Sequence, residues 1–417
     1  MRKMKDSGID ITGDIPNEWN LIRLRYLVKI TTGDGDTQDA DPDGIYPFYV
    51  RSPIVERSSS YTFNGEGILM AGDGAGAGRI FHHAFGKYAV HQRVYRLFDF
   101  NINSNYLFYY ISNLFPSVMD KGSAQSTVPS VRLPMLQNFE VCQPPLHEQK
   151  KIAEFLDAKC ADIDQIRADI ERQIEILTDY KKSVFTEAVT KGLDPKVKLK
   201  DSGIEWIGKI PDTWNVIRLK NASWLKGRIG WQGLRAEEFT DEGPFLITGT
   251  DFKNGYVDWN TCVHISEQRF NQDLAIQIKE NDLLITKDGT IGKLAIAKNC
   301  PEKVSLNSGV FIIRNTGKYK YDDKFMYYLL QSREFTLWFD LSNAGNSTIC
   351  HLNQEKFYNF KFAYPSLPEQ KKIADYLDEK CSEIDATVAD KQKQLETLEE
   401  YKKSLIFEYV TGKKEVV

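Results

Sequence analysis

Glu148-Gln149-Lys150-Lys151-Ile152-Ala153, followed by Tyr180-Lys181-Lys182-Ser183 and Val189-Thr190, returns as Glu369-Gln370-Lys371-Lys372-Ile373-Ala374, Tyr401-Lys402-Lys403-Ser404 and Val410-Thr411. Roughly half the positions across the interval are identical, well beyond coincidence. In the first copy Leu156, Ile163, Ile170, Leu177 and Val184 recur every seven residues. Cys160, Ile166, Ile174, Tyr180 and Ala188 take the intermediate d or e places, and charged residues fill most others. This is the heptad seam of a coiled coil. In the second copy Leu377, Ile384, Leu398 and Leu405 keep the register; Lys391 interrupts it, and Val388 and Leu395 partly compensate. Pro144-Pro145 and Pro365 with Pro368 set the helix starts, and Lys191-Gly192 followed by Pro195 ends the first helix. A helix of about 40 residues is about 60 Å long, and its seam needs a mate. The other copy, running antiparallel with the intervening domains at opposite ends, is the nearest. Pairing between two chains would bury the same seam.

Working outward, a second repeat precedes each variable stretch. Asp6-Ser7-Gly8-Ile9 through Ile15-Pro16 to Trp19 returns as Asp201-Ser202-Gly203-Ile204 through Ile210-Pro211 to Trp214. The layout is therefore a variable domain at 1–146, a helix at 147–192, a second variable domain at 193–367 and a second helix at 368–417. Between these landmarks the sequences have drifted, and the second is about 26 residues longer. Gly67–Gly74 faintly echoes Asp282–Gly289, Tyr109-Tyr110 answers Tyr327-Tyr328, and Gln125-Ser126-Thr127 answers Asn346-Ser347-Thr348. Two near-identical helices can hold one partner twice, while two unlike domains of one fold can read two targets. That combination suits a split, asymmetric DNA site.

Each variable domain reads as α+β with a twisted sheet. Leu283-Leu284-Ile285, Leu294-Ala295-Ile296 and Val310-Phe311-Ile312-Ile313 are expected strands. Tyr106–Phe115 and Phe325–Phe335 have helical spacing, with their aromatics in the core. Gly72-Asp73-Gly74-Ala75-Gly76-Ala77-Gly78-Arg79 fits no nucleotide-binding loop, since no Gly-Lys pair precedes Ser or Thr. A tight turn is expected there, able to bring backbone N–H groups and Arg79 to a phosphate. Polar side chains in the loops are the candidate DNA contacts: Arg51, Arg79, His91, Gln92, Arg93 and Gln125 in the first domain. Lys226, Arg228, Gln232, Lys287, Lys293, Asn307 and Asn346 are those of the second. Arg or Lys suits guanine, and Asn or Gln suits adenine.

Composition bounds the rest. Lys+Arg 54 against Asp+Glu 58 gives a net charge of -4, so DNA contact must come from local clusters rather than a basic surface. No apolar run is long enough to span a bilayer, the start lacks a secretory pattern, and six scattered cysteines without a C-x-x-C pair read as reduced thiols; a cytoplasmic protein is expected. His147-Glu148-Gln149-Lys150-Lys151 is not H-E-x-x-H, and no G-x-S-x-G elbow or adenine-methyltransferase motif is found. The expected class is a binder without catalysis of its own. A coiled-coil scaffold that binds no DNA, and an enzyme with an unread site, are the alternatives.

The repeated Asp-Ser-Gly-Ile…Ile-Pro…Trp segment and the repeated Glu-Gln-Lys-Lys-Ile-Ala…Leu-Asp…Cys…Ile-Asp helix, preceded by Pro144-Pro145-Leu146-His147 and Pro365-Ser366-Leu367-Pro368, resemble the specificity subunits of Type I restriction–modification enzymes over essentially the whole chain. The resemblance implies two target-recognition domains held by antiparallel helices, and a bipartite double-stranded DNA site whose spacer the helices set. It implies two modification subunits, which bring S-adenosylmethionine and methylate adenine, and restriction subunits, which use ATP and Mg²⁺. None of these cofactors is expected on this chain.

Overall fold

The computed structural model describes residues 2–122, 129–228, 234–343 and 351–416. The chain forms two compact units, Met1–Glu171 with Gln392–Val417, and Arg172–Lys391. This partition differs from the four-part layout along the sequence, because the boundary crosses both long helices. The first, Leu146–Lys191, starts in the first unit and ends in the second; the second, Leu367–Val410, does the reverse.

Each unit thus holds the start of one long helix against the end of the other, and the contact order is antiparallel. In the first unit Phe155 lies against Tyr409, with ring centroids 4.4 Å apart, and Asp164 pairs with Lys402 at 2.6 Å. In the second unit Lys181 pairs with Asp385 at 2.7 Å. The mate of the seam is the other copy in the same chain. These half-exposed ion pairs add little stability, and their value is in fixing register.

Burial follows the seam unevenly. Leu156, Ile163, Leu377, Ile384 and Leu405 are buried, whereas Ile170, Leu177, Val184 and Leu398 are half-buried. Cys160 and Ala188 are buried and Ile174 half-buried, but Ile166 and Tyr180, read as intermediate seam positions, are exposed. A single partner helix covers only a narrow stripe, so residues at the edge of that stripe stay in water. Lys391 tolerates its seam position by reaching Gln173 on the facing helix with its ammonium.

The repeated residues join each lead-in segment to its helix. Asp6-Ser7-Gly8-Ile9 and Asp201-Ser202-Gly203-Ile204 form the same turn. The aspartate accepts from the glycine N–H at 2.9 Å in both, and the serine hydroxyl accepts from the isoleucine N–H at 3.1 Å. Gly8 and Gly203, at φ +71° and +69°, adopt the left-handed conformation that favours glycine. Further on, buried Trp19 donates to Glu148 and buried Trp214 donates to Glu369, each at 3.0 Å. Gln149 accepts from Asn103 N–H at 2.8 Å and donates to the Pro144 carbonyl at 2.7 Å; Gln370 does the same with Asp322 and Pro365.

That bonding also corrects the register of the aromatic echo. Asn103 and Asp322 occupy equivalent places, so Tyr109, whose hydroxyl donates to Asp157 at 2.7 Å, matches Tyr328, which donates to Asp378 at 2.5 Å. Tyr109 therefore answers the second tyrosine of the pair Tyr327-Tyr328. The helical stretch expected over Phe325–Phe335 is also broken into Asp323–Leu329 and Arg333–Asn343, with turn hydrogen bonds at Gln331 and Ser332. Its counterpart in the first unit runs unbroken over Ser104–Gly122. The aromatics Tyr106, Tyr110, Phe115, Phe325 and Phe335 are core residues, as their spacing implied.

The sheets share one plan. In the first unit the strand order is Lys29–Thr32, Val94–Phe98, Gly67–Ala71, Phe81–Ala84, all antiparallel. In the second, Trp224–Gly227, Val310–Arg314, Leu283–Thr286 and Leu294–Ile296 repeat that order, and two short strands extend it. A second sheet in each unit contains one parallel pair, Tyr46–Tyr49 with Lys87–Val90 and Phe239–Ile247 with Val304–Leu306. The expected strands at 283–285, 294–296 and 310–313 are present.

One buried group strains the second unit. Glu334 is fully buried, and neither carboxyl oxygen has a hydrogen-bond partner among the described residues. Burial pushes its pKa well up; the approach of the Ala363 amide opposes this weakly and forms no hydrogen bond of normal geometry. As pH rises through the ordinary glutamate range the unfolded chain ionises while folded Glu334 keeps its proton, so stability falls with rising pH. Glu334→Leu is expected to raise stability by about 1–3 kcal/mol at neutral pH and to flatten that pH dependence. Urea unfolding from pH 4 to 8 checks it; an unchanged slope would count against the assignment.

Candidate nucleic-acid interface

In the first unit the hairpin between Gly67–Ala71 and Phe81–Ala84 carries the glycine-rich tip 72–79. Its flanks are antiparallel strands, so it is a strand–turn–strand feature rather than a phosphate loop leading into a helix. Gly72 admits no side chain, since a Cβ would lie 2.8 Å from the Arg93 carbonyl. This close approach brings Asp73 between two arginines. Its carboxylate accepts from Arg51 at 2.8 Å through one oxygen and from Arg93 at 2.6 Å through the other. Burial works against the charged form of Asp73, but the bonds from Arg93 and Arg51 outweigh it and hold the carboxyl below its usual range.

His91 lies beneath this cluster, 3% exposed, and its Nδ1 accepts from the Arg93 amide at 3.0 Å. Burial, with Arg51 adding to it, lowers its pKa. The ring is therefore neutral near pH 7 and supports the loop from below. Gln92 and Arg93 are exposed beside it, and Arg79, at the far side of the same hairpin tip, donates to Asp120 at 2.5 Å. Sheet topology thus gathers Arg51, His91, Gln92 and Arg93 around Asp73, with Arg79 on the same hairpin. Gln125 lies outside the described residues.

The second unit builds the same end. Its hairpin tip starts at Lys287-Asp288-Gly289, and Lys293 takes the place of Arg79: Gly78 N–H donates to Ala71 and Gly292 N–H to Thr286, at 2.8 and 3.0 Å. Asp288 accepts from His351 Nδ1 at 2.6 Å, and the Lys287 ammonium is 3.7 Å from its other oxygen and 5.3 Å above the Phe311 ring. Lys293 is exposed. Asn307 takes the place of His91; its side chain bonds the Leu234 amide and carbonyl at 3.1 and 3.3 Å and the Ser308 amide at 2.8 Å, bracing the loop.

Two candidates of the second domain lie differently. Arg228 is 1% exposed and donates to the Leu306 carbonyl and Ser305 hydroxyl at 2.9 and 3.1 Å. As placed, it braces strand ends from inside. Lys226 sits on the strand Trp224–Gly227 with its ammonium 3.9 Å from Asp273. Gln232 and Asn346 lie outside the described residues. Sequence reading missed Asp73, Asp288 and His351. The signal that could have found the aspartates was the Asp-Gly pair shared by two otherwise drifted hairpin tips.

Among the described residues no group of three potential metal-ligating side chains comes together, and no helix is long and apolar enough to cross a membrane. The described cysteines are free thiols, and all but half-buried Cys300 are buried.

Comparison with known proteins gives a consistent result. A family model described as the Type I restriction modification DNA specificity domain matches residues 16–176 and 211–399. The chain is 27% identical to the Type I restriction enzyme MjaVIII specificity subunit of Methanocaldococcus jannaschii, over 96% of this chain and 93% of that one. It is 24% identical to the Type I restriction enzyme EcoDI specificity subunit of Escherichia coli, over 87% and 81%. A chain solved in work on complex assembly and conformational transition of the type I R-M system superposes with a TM-score of 0.68 at 14% identity, covering 96% of this chain and 99% of that one. At that identity the likeness speaks for the fold alone.

Proposed function

The chain belongs to the Type I restriction–modification DNA specificity family, and we propose that it reads an asymmetric, bipartite double-stranded DNA site, one half-site per recognition domain. Members of this family supply sequence specificity and do not catalyse. The two hairpin ends are the surfaces assigned to DNA, and the repeated helices are assigned to two modification subunits, with restriction subunits joining the assembly. The cytoplasm is the assigned compartment.

The observation that carries this reading is the contrast between copies: one fold and one loop end built twice, but with different basic side chains, on helices that keep roughly half their residues identical. A loop end that diverges much further than its scaffold is what reading two different half-sites requires. The net charge of -4 is compatible, because local basic groups such as Arg51, Arg93, Lys287 and Lys293 stand at the loop ends.

Arg51→Ala with Arg93→Ala, in the full chain co-expressed with its modification subunits, tests the reading. Each guanidinium that reads a base contributes about 1–3 kcal/mol of discrimination. Mapping N6-methyladenine across the host genome is expected to show loss or relaxation of one half of a split motif, with the other half intact. An unchanged methylome would exclude this loop end as a DNA contact and favour the plain scaffold.

A further inference from the structure

Main-chain hydrogen bonds make four positions around the hairpin aspartate equivalent in the two domains. The amides of Gly72 and Lys287 donate to the carbonyls of Arg93 and Gly309, at 2.9 and 2.8 Å. The carbonyls of Gly72 and Lys287 accept from the amides of Val131 and Leu352, at 2.7 and 3.0 Å, which aligns Ser130 with His351. His91 and Asn307 amides donate to Tyr49 and Ile247 carbonyls, at 3.0 and 2.9 Å, so Arg51 and Gly249 each stand two residues beyond an equivalent strand end. At each position one domain has a basic residue and the other has glycine or serine: Arg51 against Gly249, Arg93 against Gly309, Lys287 against Gly72, and His351 against Ser130. The aspartate at the centre is the one member that does not change.

We propose that Asp73 and Asp288 are the shared positioning residues of the two readers, and that the surrounding positions carrying basic side chains decide which base pattern each domain recognises. This rests on the reading of the loop ends as the DNA interface. The aspartate cannot itself approach phosphate without repulsion. Held by its carboxylate, however, Arg51 and Arg93 lose less conformational freedom on meeting a base edge, and their remaining N–H donors are aimed in advance. The carboxylate also cancels part of the local charge, so the contact favours selectivity over the salt-dependent attraction that any DNA would offer. The first domain presents two guanidinium forks; the second presents an imidazole and an ammonium. The aspartate acts through these groups, as an anchor.

Asp73→Asn and Asp288→Asn, each in the full chain with its modification subunits, separate this from alternatives. The readouts are the genomic N6-methyladenine map and methylation of duplexes carrying the wild-type motif or single-base changes in either half. Asp73→Asn is expected to reduce discrimination about tenfold within one half-site and Asp288→Asn within the other, with Asp73→Glu restoring part of it. Thermal unfolding of each variant is expected to shift only slightly, because the half-buried aspartates pair with the more exposed Arg51, Arg93 and His351, which can turn to water when the pairing is weakened; a purely structural role would instead lower stability markedly and affect both half-sites. Full discrimination in both Asn variants, or equal loss in both halves, overturns the proposal. If that happens while Arg51→Ala with Arg93→Ala still erases one half-site, only the anchoring role fails. If the arginine variant is also silent, the assignment of this surface to DNA fails with it.

Discussion

Trp214→Ala is expected to destabilise the second unit by about 3–5 kcal/mol, the range for removing a fully buried large aromatic. The ring is 1% exposed and belongs to the core that contains Val189, Leu219, Ile373 and Leu377. Its indole N–H is the donor to Glu369 at 3.0 Å. Gly192, at φ +75°, passes so close that a Cβ there would sit 3.3 Å from the ring. One side chain therefore ties together the lead-in segment, the end of one long helix and the start of the other. Removing it leaves a cavity and deprives a half-buried carboxylate of its donor. Trp214→Phe keeps most of the volume but leaves a small void and takes the donor from Glu369, so about 1–3 kcal/mol is expected for it. Urea unfolding, comparing midpoints at constant slope, checks both values. A change below about 0.5 kcal/mol for the alanine variant, the size of an ordinary surface substitution, would mean that the joint is not where this unit is fastened. Trp19, which donates to Glu148 in the same way, is the matching test for the first unit.

That joint explains why so much of the fold could be read from sequence. The residues that repeat, Trp19 with Glu148 and Trp214 with Glu369, Gln149 and Gln370, Asp164 and Asp385, are those whose hydrogen bonds fix the scaffold. The helices extend over Leu146–Lys191 and Leu367–Val410, close to the limits set by the prolines and by the glycine after Lys191. Short apolar runs bounded by turn residues are strands. Three features were hidden, each for a physical reason. The compact units cut both helices, which follows from pairing across the chain and not from any local signal. Ile166 and Tyr180 fit the heptad spacing yet stay exposed, because spacing does not tell how wide a stripe the partner covers. Arg228 looks like any loop arginine, and only the strands around it reveal that it is buried.

The candidate site was legible in its parts but not in its assembly. Arg51, His91 and Arg93 were found as polar residues in loops. The group that organises them, Asp73, stands about 20 residues from each arginine in sequence; the parallel pairing of Tyr46–Tyr49 with Lys87–Val90 brings the two arginines together, and the antiparallel pairing of Gly67–Ala71 with Val94–Phe98 brings Asp73 to them. Parallel pairing between strands far apart in sequence leaves no local pattern. In the second domain the same architecture hid His351, which reaches Asp288 from a position 63 residues further along.

Adding one heptad to each long helix, within the seam, is expected to move methylation to a site with a longer spacer. Seven residues extend a helix by about 10.5 Å, close to the rise of about three base pairs at 3.4 Å each. A whole heptad keeps the apolar stripe in register, so the Asp164–Lys402 and Lys181–Asp385 pairs can both re-form. The expected result is loss of N6-methyladenine at the original motif by more than tenfold and its appearance at the same two half-sites set about three base pairs further apart. Rotation limits how well the new site works. Seven residues turn a straight helix by only about 20° away from register, whereas three base pairs turn the DNA groove by roughly 100° at 10–10.5 base pairs per turn. The duplex must twist or bend to meet the second domain, at a cost that depends on the spacer sequence. The longer site is therefore expected to be methylated more slowly than the original is by the wild-type chain, and more readily where the spacer contains flexible pyrimidine–purine steps. Adding a heptad to one helix alone would put the paired residues out of step and is expected to abolish methylation at every spacing. Retention of the original spacer in the doubly extended variant would show that the interval is set within the recognition domains and not by the helices.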